Sequence, residues 1–359
     1  MSIWDDIARH RRLGRALHGL DLSGLDARGR DVGGLAFNQC RLSGARFDRC
    51  DLSRARFVGC DLGGAAFTGA TLFHSAFVQC VLAGADLRAR QHLHTCWTDC
   101  DLLRSDWRGA SLLFCTLMKC RLQQALLSDL RAERSTLLEG AYEGCDFSRA
   151  YFDHCVISKA DLRTAVIDGL AAEGLVLIGA SLAGKQLAGV ALRRCMFQQA
   201  DFSGADLHGA DLSGTNCHRS LFDGCDLRAL TAPGAHFIGA TIKGCDLRGA
   251  SLAQAMFHQA VVSDSRFDGA QLAGSIWSES DSRCVSFAGA VLTHARFERA
   301  KGSHLDFSNA NLDHTHFHGA SLCDCRYDGS SRRGMVLTDA AALADQQRAY
   351  AMPPREETA

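Results

Sequence analysis

One large apolar residue recurs every five positions along almost the whole chain. From Leu22 to Leu337 there are 64 residues whose numbers leave remainder two on division by five, and 60 of them are apolar. The exceptions are His92, Ser282, Gly302 and Arg332, and 17 of the 19 phenylalanines fall in the same column. No insertion or deletion shifts the phase. A second column, two residues earlier, carries small side chains such as Ala45, Ala55, Ala65, Ala70 and Ala85. A period of five fits neither a helix nor a flat strand. A chain that buries one large and one small residue per quintet must therefore turn a corner after each unit.

Well-formed units are Ala200-Asp201-Phe202-Ser203-Gly204, Ala205-Asp206-Leu207-His208-Gly209 and Ala210-Asp211-Leu212-Ser213-Gly214. On these units the sequence resembles the pentapeptide-repeat family, whose motif is A(D/N)LXX, over roughly residues 20–337. The resemblance implies an all-β fold, a right-handed quadrilateral β-helix with four units per coil and both columns facing inward. The sequence carries its own sign of four sides. Cys40, Cys60, Cys80, Cys100 and Cys120 recur every 20 residues, with Leu42, Leu62, Leu82, Leu102 and Leu122 beside them. Fourteen of the 17 in-register phenylalanines have numbers ending in 7, which places them on two opposite sides, while leucine dominates the other two. Such alternation is what a narrow, closely packed core requires. The 64 units make about 16 coils, or roughly 75 Å of stacked layers at about 4.8 Å each. No coil covers its own edges, so stability must come from stacking.

Some units depart from the pattern. Ala27, Ala132, Ala172 and Ala232 occupy the large column, and Leu25, Leu130, Leu170 and Leu230 stand two residues before them. Volume has been exchanged between the two inward sites, a tolerated change, so these leucines are expected to be buried in an unbroken register. Lys185 takes a small inward site, where its ammonium must snorkel to a corner or force a bulge. The stretch Arg88–His94 breaks both columns, and Gly302, Ser282 and Thr231-Ala232-Pro233-Gly234 are milder irregularities. The ends need covering, because exposed strand edges invite aggregation. Residues 2–18 read as a helical cap, with Ile3, Trp4, Ile7 and Leu17 near one face. Thr338-Asp339 opens a short helix from Ala340 to about Ala351, stopped by Pro353-Pro354 and followed by a disordered tail. The expected organisation is a helical cap at 1–19, the β-helix at 20–337, and a short helix and tail at 338–359.

Composition adds less. Lys+Arg number 39 against 40 Asp+Glu, so neither a basic nucleic-acid footprint nor a strongly acidic surface shows in the total. The chain starts without a signal peptide and has no run long enough to span a membrane, which sets a bacterial-type reducing cytoplasm as the expected location. Thirteen of the 17 cysteines sit in the small inward column, where they read as small apolar core residues rather than disulfides or metal ligands. Cys96, Cys284 and Cys323 should be more accessible, and Cys217 takes a central inward site. The densest histidine group is His304, His314, His316 and His318, with Cys323 and Cys325 close by in sequence. His294 should stack on His314, and His74 on His94. Stacked imidazoles can bind a transition metal, but ordinary surface histidines are the preferred reading, and whether the group binds metal stays open.

No nucleophile elbow, P-loop or zinc-protease motif occurs. The repeated aspartates Asp51, Asp61, Asp101, Asp146, Asp161, Asp226 and Asp246 are expected to make local hydrogen bonds at turns rather than acid–base pairs. No catalytic, cofactor-binding or metal residue is assigned, and no cofactor. The leading expectation is a non-enzymatic scaffold for protein–protein interaction, with an unidentified protein partner. The resemblance adds an association with a secretion system such as type VI. The alternative, also from the resemblance, is a DNA mimic that binds type II topoisomerase. Arg41, Arg46, Arg56, Arg121 and Arg131 weaken it, because they share the aspartates' outward column. Direct binding of nucleic acid is not expected. The C-terminal segment reads as a simple cap or, as the resemblance to the repeat family equally implies, as a homodimer contact through Leu343 and Tyr350.

Overall fold

The computed structural model describes residues 3–89, 91–158 and 160–338. They form two compact units, Met1–Asp206 and Leu207–Ala359. Each unit is a parallel β-solenoid with square coils, about 15 turns in total. A residue pairs with the one 20 positions on: Leu17 with Phe37, Phe37 with Phe57, Arg131 with Tyr151 in the first unit, and Thr241 with Val261 in the second. Four quintets thus close each coil, as the 20-residue recurrence of cysteine implied.

We number the sides by their inward residues. In the first unit the first side runs through Phe37, Phe57 and Phe77, the second through Leu42, Leu62 and Leu82. The third holds Phe47 and Phe67, the fourth Leu52 and Leu72, and the same order continues every 20 residues. Eight short strands make a continuous sheet on the first side of the first unit, from Leu17–His18 to Val156–Ile157, and seven make another on its fourth side. In the second unit, six strands from Leu221–Asp223 to Ser321–Cys323 form the sheet on the second side. Elsewhere the coils are joined by single bridges between turns, such as Asp61↔Val81 and Asp246↔Arg266.

The corner geometry explains the fifth residue of the unit. It adopts a left-handed backbone, as at Gly204 with φ +67°. Only glycine reaches this conformation without strain, yet Phe114 at +53° and His74 at +53° hold it too. Inside, large residues stack on their equivalents in the next coil. Phe37 lies flat on Phe57 at 4.9 Å between ring centres, Phe57 on Phe77 at 4.8 Å, and Phe47 meets Phe57 edge-on at 6.0 Å. Offset stacks and edge contacts are the arrangements aromatic rings favour. The aromatic residues do line two opposite sides.

Three of the four exchanged leucines, Leu130, Leu170 and Leu230, are buried, and the register runs through them unbroken. Leu25 is only half-buried. It lies in the first full coil, which has a neighbouring coil on one side alone. Lys185 keeps its place without a bulge: its backbone still bonds Leu182 and Asp206, and its ammonium donates to the Ala165 carbonyl at the corner. The irregularity expected around Ala89 is present at the corner: Ala89 is buried, its amide bonds the Leu87 carbonyl, and it lacks the left-handed backbone that most fifth residues adopt, yet the register recovers at once. Gln91–Leu93 is a strand paired with its neighbours on both sides, and His92 keeps the central inward site, fully buried. Pro233 fits its turn, its carbonyl accepting from the Gly214 amide.

The ends differ from the expectation. The N-terminal helix is Ile3–Arg12 only, with Ile7 buried beneath it and the Arg30 guanidinium over the Trp4 ring at 4.9 Å. Leu17 is not part of the cap. It is fully buried and bonded in the sheet, so the solenoid starts one unit before Leu22. At the other end the inward columns lose their cover: Leu322 and Tyr327 are half-buried, and Arg332 and Leu337 are exposed. No later coil stacks on them among the described residues. The expected helix at Ala340–Ala351, with Leu343 and Tyr350, lies outside the described residues.

Candidate interaction surface

Each quintet sends three side chains outward, flanking and following the large inward residue, and the coil sorts them by side. On the third side the outward residues are mostly charged and already matched. Asp26 pairs with Arg28 at 2.6 Å, Asp86 with Arg88 at 2.7 Å and Asp106 with Arg108 at 2.7 Å in the first unit. In the second unit Asp246 pairs with Arg248 and Arg266 with Asp268, both at 2.6 Å. Partners two residues apart on one side point the same way because the side-chain period of an extended chain is two. Burial pulls the Asp86 carboxyl upward, but its bonds to Arg88 and Thr68 outweigh that and hold it at about 2. Such exposed pairs add at most about 1 kcal/mol each. Their main consequence is to neutralise the side.

The aspartates make the local bonds expected of them. Asp51, Asp61 and Asp101 accept from the backbone amides of Ser53, Gly63 and Leu103, and Asp146, Asp161, Asp226 and Asp246 do the same two residues on. The arginines sharing their column are paired across coils in places, Arg121 with Asp101 at 3.3 Å and Arg41 with Asp21 at 3.8 Å.

The first side of the first unit is different. The residues flanking its inward column around the middle coils are Ala76, Val78, Cys96, Thr98, Thr116, Met118, Thr136 and Leu138, none of them Asp, Glu, Lys or Arg, and its charges sit at the corner in Asp99, Lys119 and Glu139. Met118 is 36 % exposed. Along the adjoining corner runs a stack of rings: His74 on His94 at 4.8 Å, His94 on Phe114 at 5.1 Å, and the Arg134 guanidinium 5.8 Å from the Phe114 ring. Sequence reasoning predicted the two histidines but missed Phe114 and Arg134. Their numbers, 20 apart, were the available signal.

The histidine and cysteine group at the C-terminal end is not one site. His294 stacks on His314 at 5.0 Å on the fourth side, His316 and His318 face out from the first, and His304 and Cys323 belong to the second. His304 approaches Asp324 only to 4.0 Å. Among the described residues no group of three or more His, Cys, Asp or Glu is placed to hold a metal ion. All 17 cysteines are free thiols. Of the 13 in the small column, 12 are buried, Cys325 is half-buried, Cys217 is buried at its central site, and Cys284 and Cys323 are exposed. Burial pushes the Cys145 and Cys195 thiols up to about 12. No helix among the described residues is long and apolar enough to cross a membrane.

The family described as "Pentapeptide repeats (8 copies)" matches residues 142–169, 174–209, 192–228, 234–269, 265–301 and 290–326, and "Pentapeptide repeat region" matches 34–91. No curated protein matches the chain. Among solved structures it is similar to HetL, a pentapeptide repeat protein involved in heterocyst differentiation regulation from the cyanobacterium Nostoc sp. strain PCC 7120. Identity is 18 %, coverage 93 % of this chain and 97 % of that one, and the TM-score 0.21. Full-length QnrB1, a plasmid-mediated fluoroquinolone resistance protein, is 17 % identical, covering 65 % of this chain and 97 % of its own at a TM-score of 0.24. Rfr23, a pentapeptide repeat protein from the cyanobacterium Cyanothece 51142, is 18 % identical over 43 % of this chain and 91 % of its own, with a TM-score of 0.14.

Proposed function

Since the chain belongs to the pentapeptide-repeat family, we propose that it is a non-enzymatic scaffold whose outer sides bind another protein. One observation carries the reading: the outward residues are sorted into long stripes of different chemistry on a backbone of fixed register. The third side carries matched Asp–Arg pairs in several coils, and on the first side of the first unit the residues flanking Phe77, Trp97, Leu117 and Leu137 include no Asp, Glu, Lys or Arg. A partner meeting such a side finds similar chemistry repeated over several successive coils, which gives a shallow surface its selectivity. Association with a secretion system such as type VI is part of this proposal.

The ion pairs weigh against the DNA-mimic alternative. A rod that replaces phosphates needs uncompensated negative charge, whereas Asp26, Asp86, Asp106, Asp226 and Asp246 each hold an arginine two residues on. The test is affinity purification from the native host, combined with cross-linking and mass spectrometry. A protein recovered reproducibly and cross-linked to outward lysines such as Lys119, Lys243 or Lys301 supports the scaffold. Recovery of gyrase subunits would replace it by the mimic, and recovery of nucleic acid alone would overturn both.

A further inference from the structure

The first side of the first unit is a sheet face with no covering element among the described residues, and its central charges, Asp99 and Lys119, are arranged so that it matches itself. Along the coils the outward residues are Ala76 and Val78, Cys96 and Thr98, Thr116 and Met118, Thr136 and Leu138. At the corner that ends this side, successive coils place Gln79, Asp99, Lys119 and Glu139, all exposed. Neither Asp99 nor Lys119 has an ion-pair or side-chain hydrogen-bond partner among the described residues.

We propose that this side docks on the same side of a second copy of the chain, antiparallel, about a two-fold axis between the coils of Trp97 and Leu117. The axis lies in the interface and runs across the coils. It keeps each outward column opposite itself and reverses the order of the coils. Asp99 then faces Lys119 of the second copy, and Lys119 faces its Asp99. Gln79 meets Glu139, Val78 meets Leu138, and Thr98 meets Met118. The only charges brought together at the centre are opposite ones; further out Glu139 meets the Gln79 amide and Arg56 lies opposite Val156, so neither adds an ion pair, and the remaining contact is mostly apolar or hydroxyl.

Area sets the strength. Eight coils, from Phe37 to Leu177, overlap under this axis. At about 4.8 Å per coil and about 15 Å across a side, each copy buries about 600 Å² and the pair about 1,200 Å², just above the roughly 1,000 Å² a specific interface needs. The dimer is therefore reversible. A partner other than a second copy would have to supply the same reversed order of charges. Two copies related by symmetry do so without further design.

Sedimentation velocity of the full chain, from about 1 to about 100 µM, reads the result. The expected outcome is a monomer–dimer equilibrium. Asp99→Lys and Lys119→Asp should each weaken it about tenfold or more, and the double variant should return it to within about threefold of the starting value. Both substitutions put into each position a residue that the same column already carries with a left-handed backbone, Asp99 at φ +51° and Lys119 at +55°. Met118→Asp, at an exposed site, should leave a folded monomer by circular dichroism. A chain that stays monomeric at the top concentration overturns the proposal. So does a dimer indifferent to Met118→Asp, which would place the contact elsewhere, or a double variant no tighter than the single ones.

Discussion

The tryptophans show how much one hydroxyl in the small column decides. Trp107 donates its indole N–H to Ser105 at 2.8 Å, and Trp277 to Ser275 at 2.9 Å, in each case two residues before. Trp97 has Thr95 in that place, but Thr95 donates to the Leu72 carbonyl and the Trp97 N–H has no partner. Removing the acceptor from a buried donor costs about 1–3 kcal/mol. Ser105→Ala and Ser275→Ala should each lower stability by that amount in urea unfolding, while Trp97→Phe should cost less than the same change at Trp107. His92 is another buried group with an open valence. Its Nε2 bonds the Leu87 carbonyl at 3.0 Å and its Nδ1 has no partner. Burial is the main cause that lowers its pKa to about 4. An unfolded histidine titrates near 6.5, so the unfolded state binds a proton first as pH falls. The neutral ring's contribution is fully present above about 6.5 and is lost as pH falls towards about 4, amounting to roughly 3 kcal/mol. The urea midpoint should drop across that window, and His92→Leu should flatten the drop. An unchanged slope in the variant would show that His92 is not the titrating group.

Within one coil, packing follows a rule of constant volume, and it reaches further than two residues back. Gly302 occupies a large inward site, and a Cβ there would lie 2.7 Å from Leu305 and 2.8 Å from Leu322. Leu305, three residues ahead and fully buried, fills the space. Tyr142 is the reverse case: its hydroxyl would sit 2.6 Å from a Cβ at Gly140, and it donates to the Leu137 carbonyl. Gly302→Leu alone should therefore cost about 1–3 kcal/mol by overpacking. Gly302→Leu with Leu305→Ala should recover most of that, whereas independent sites would simply add. This is also where sequence reading succeeded and fell short. The period of five fixes which residues face inward, so the register, the aromatic sides and the exchanges at Leu130 and Leu230 were readable. The Gly302–Leu305 exchange was not, because it joins the large site of one quintet to the small site of the next across a corner. The break expected at Arg88–His94 is confined to the corner at Ala89, because His92, though polar, still fills the central inward site and its strand stays paired with both neighbours.

For each unit taken whole, the inward columns decide what is protected and the outward ones decide what is available. The columns were legible from spacing, but the surface was not. Its stripes emerge only when outward residues are grouped by their remainder on division by 20, and the pairing of Asp with Arg on one side depends on which side chains reach each other. Cysteine tests the protection directly, since 12 of the 13 small-column thiols are buried and only Cys96, Cys284, Cys323 and Cys325 are half-buried or exposed. A thiol reacts as its thiolate, and a buried thiol pushed up to about 12, as at Cys145, has almost none near neutral pH. Native protein should label at no more than four sites, and the other 13 should become reactive only on unfolding. Fast labelling of Cys60 or Cys80 in the native protein would contradict the inward placement on which the fold rests. Mild denaturant should also separate the sites in order. Because each coil is held by its neighbours, Cys325, half-buried beside the last described coil of the second unit, should reach its unfolded labelling rate before Cys225 and Cys245, which have coils stacked on both sides. Simultaneous exposure of all three would mean that the second unit unfolds in a single step and that its open end gives no starting point for fraying.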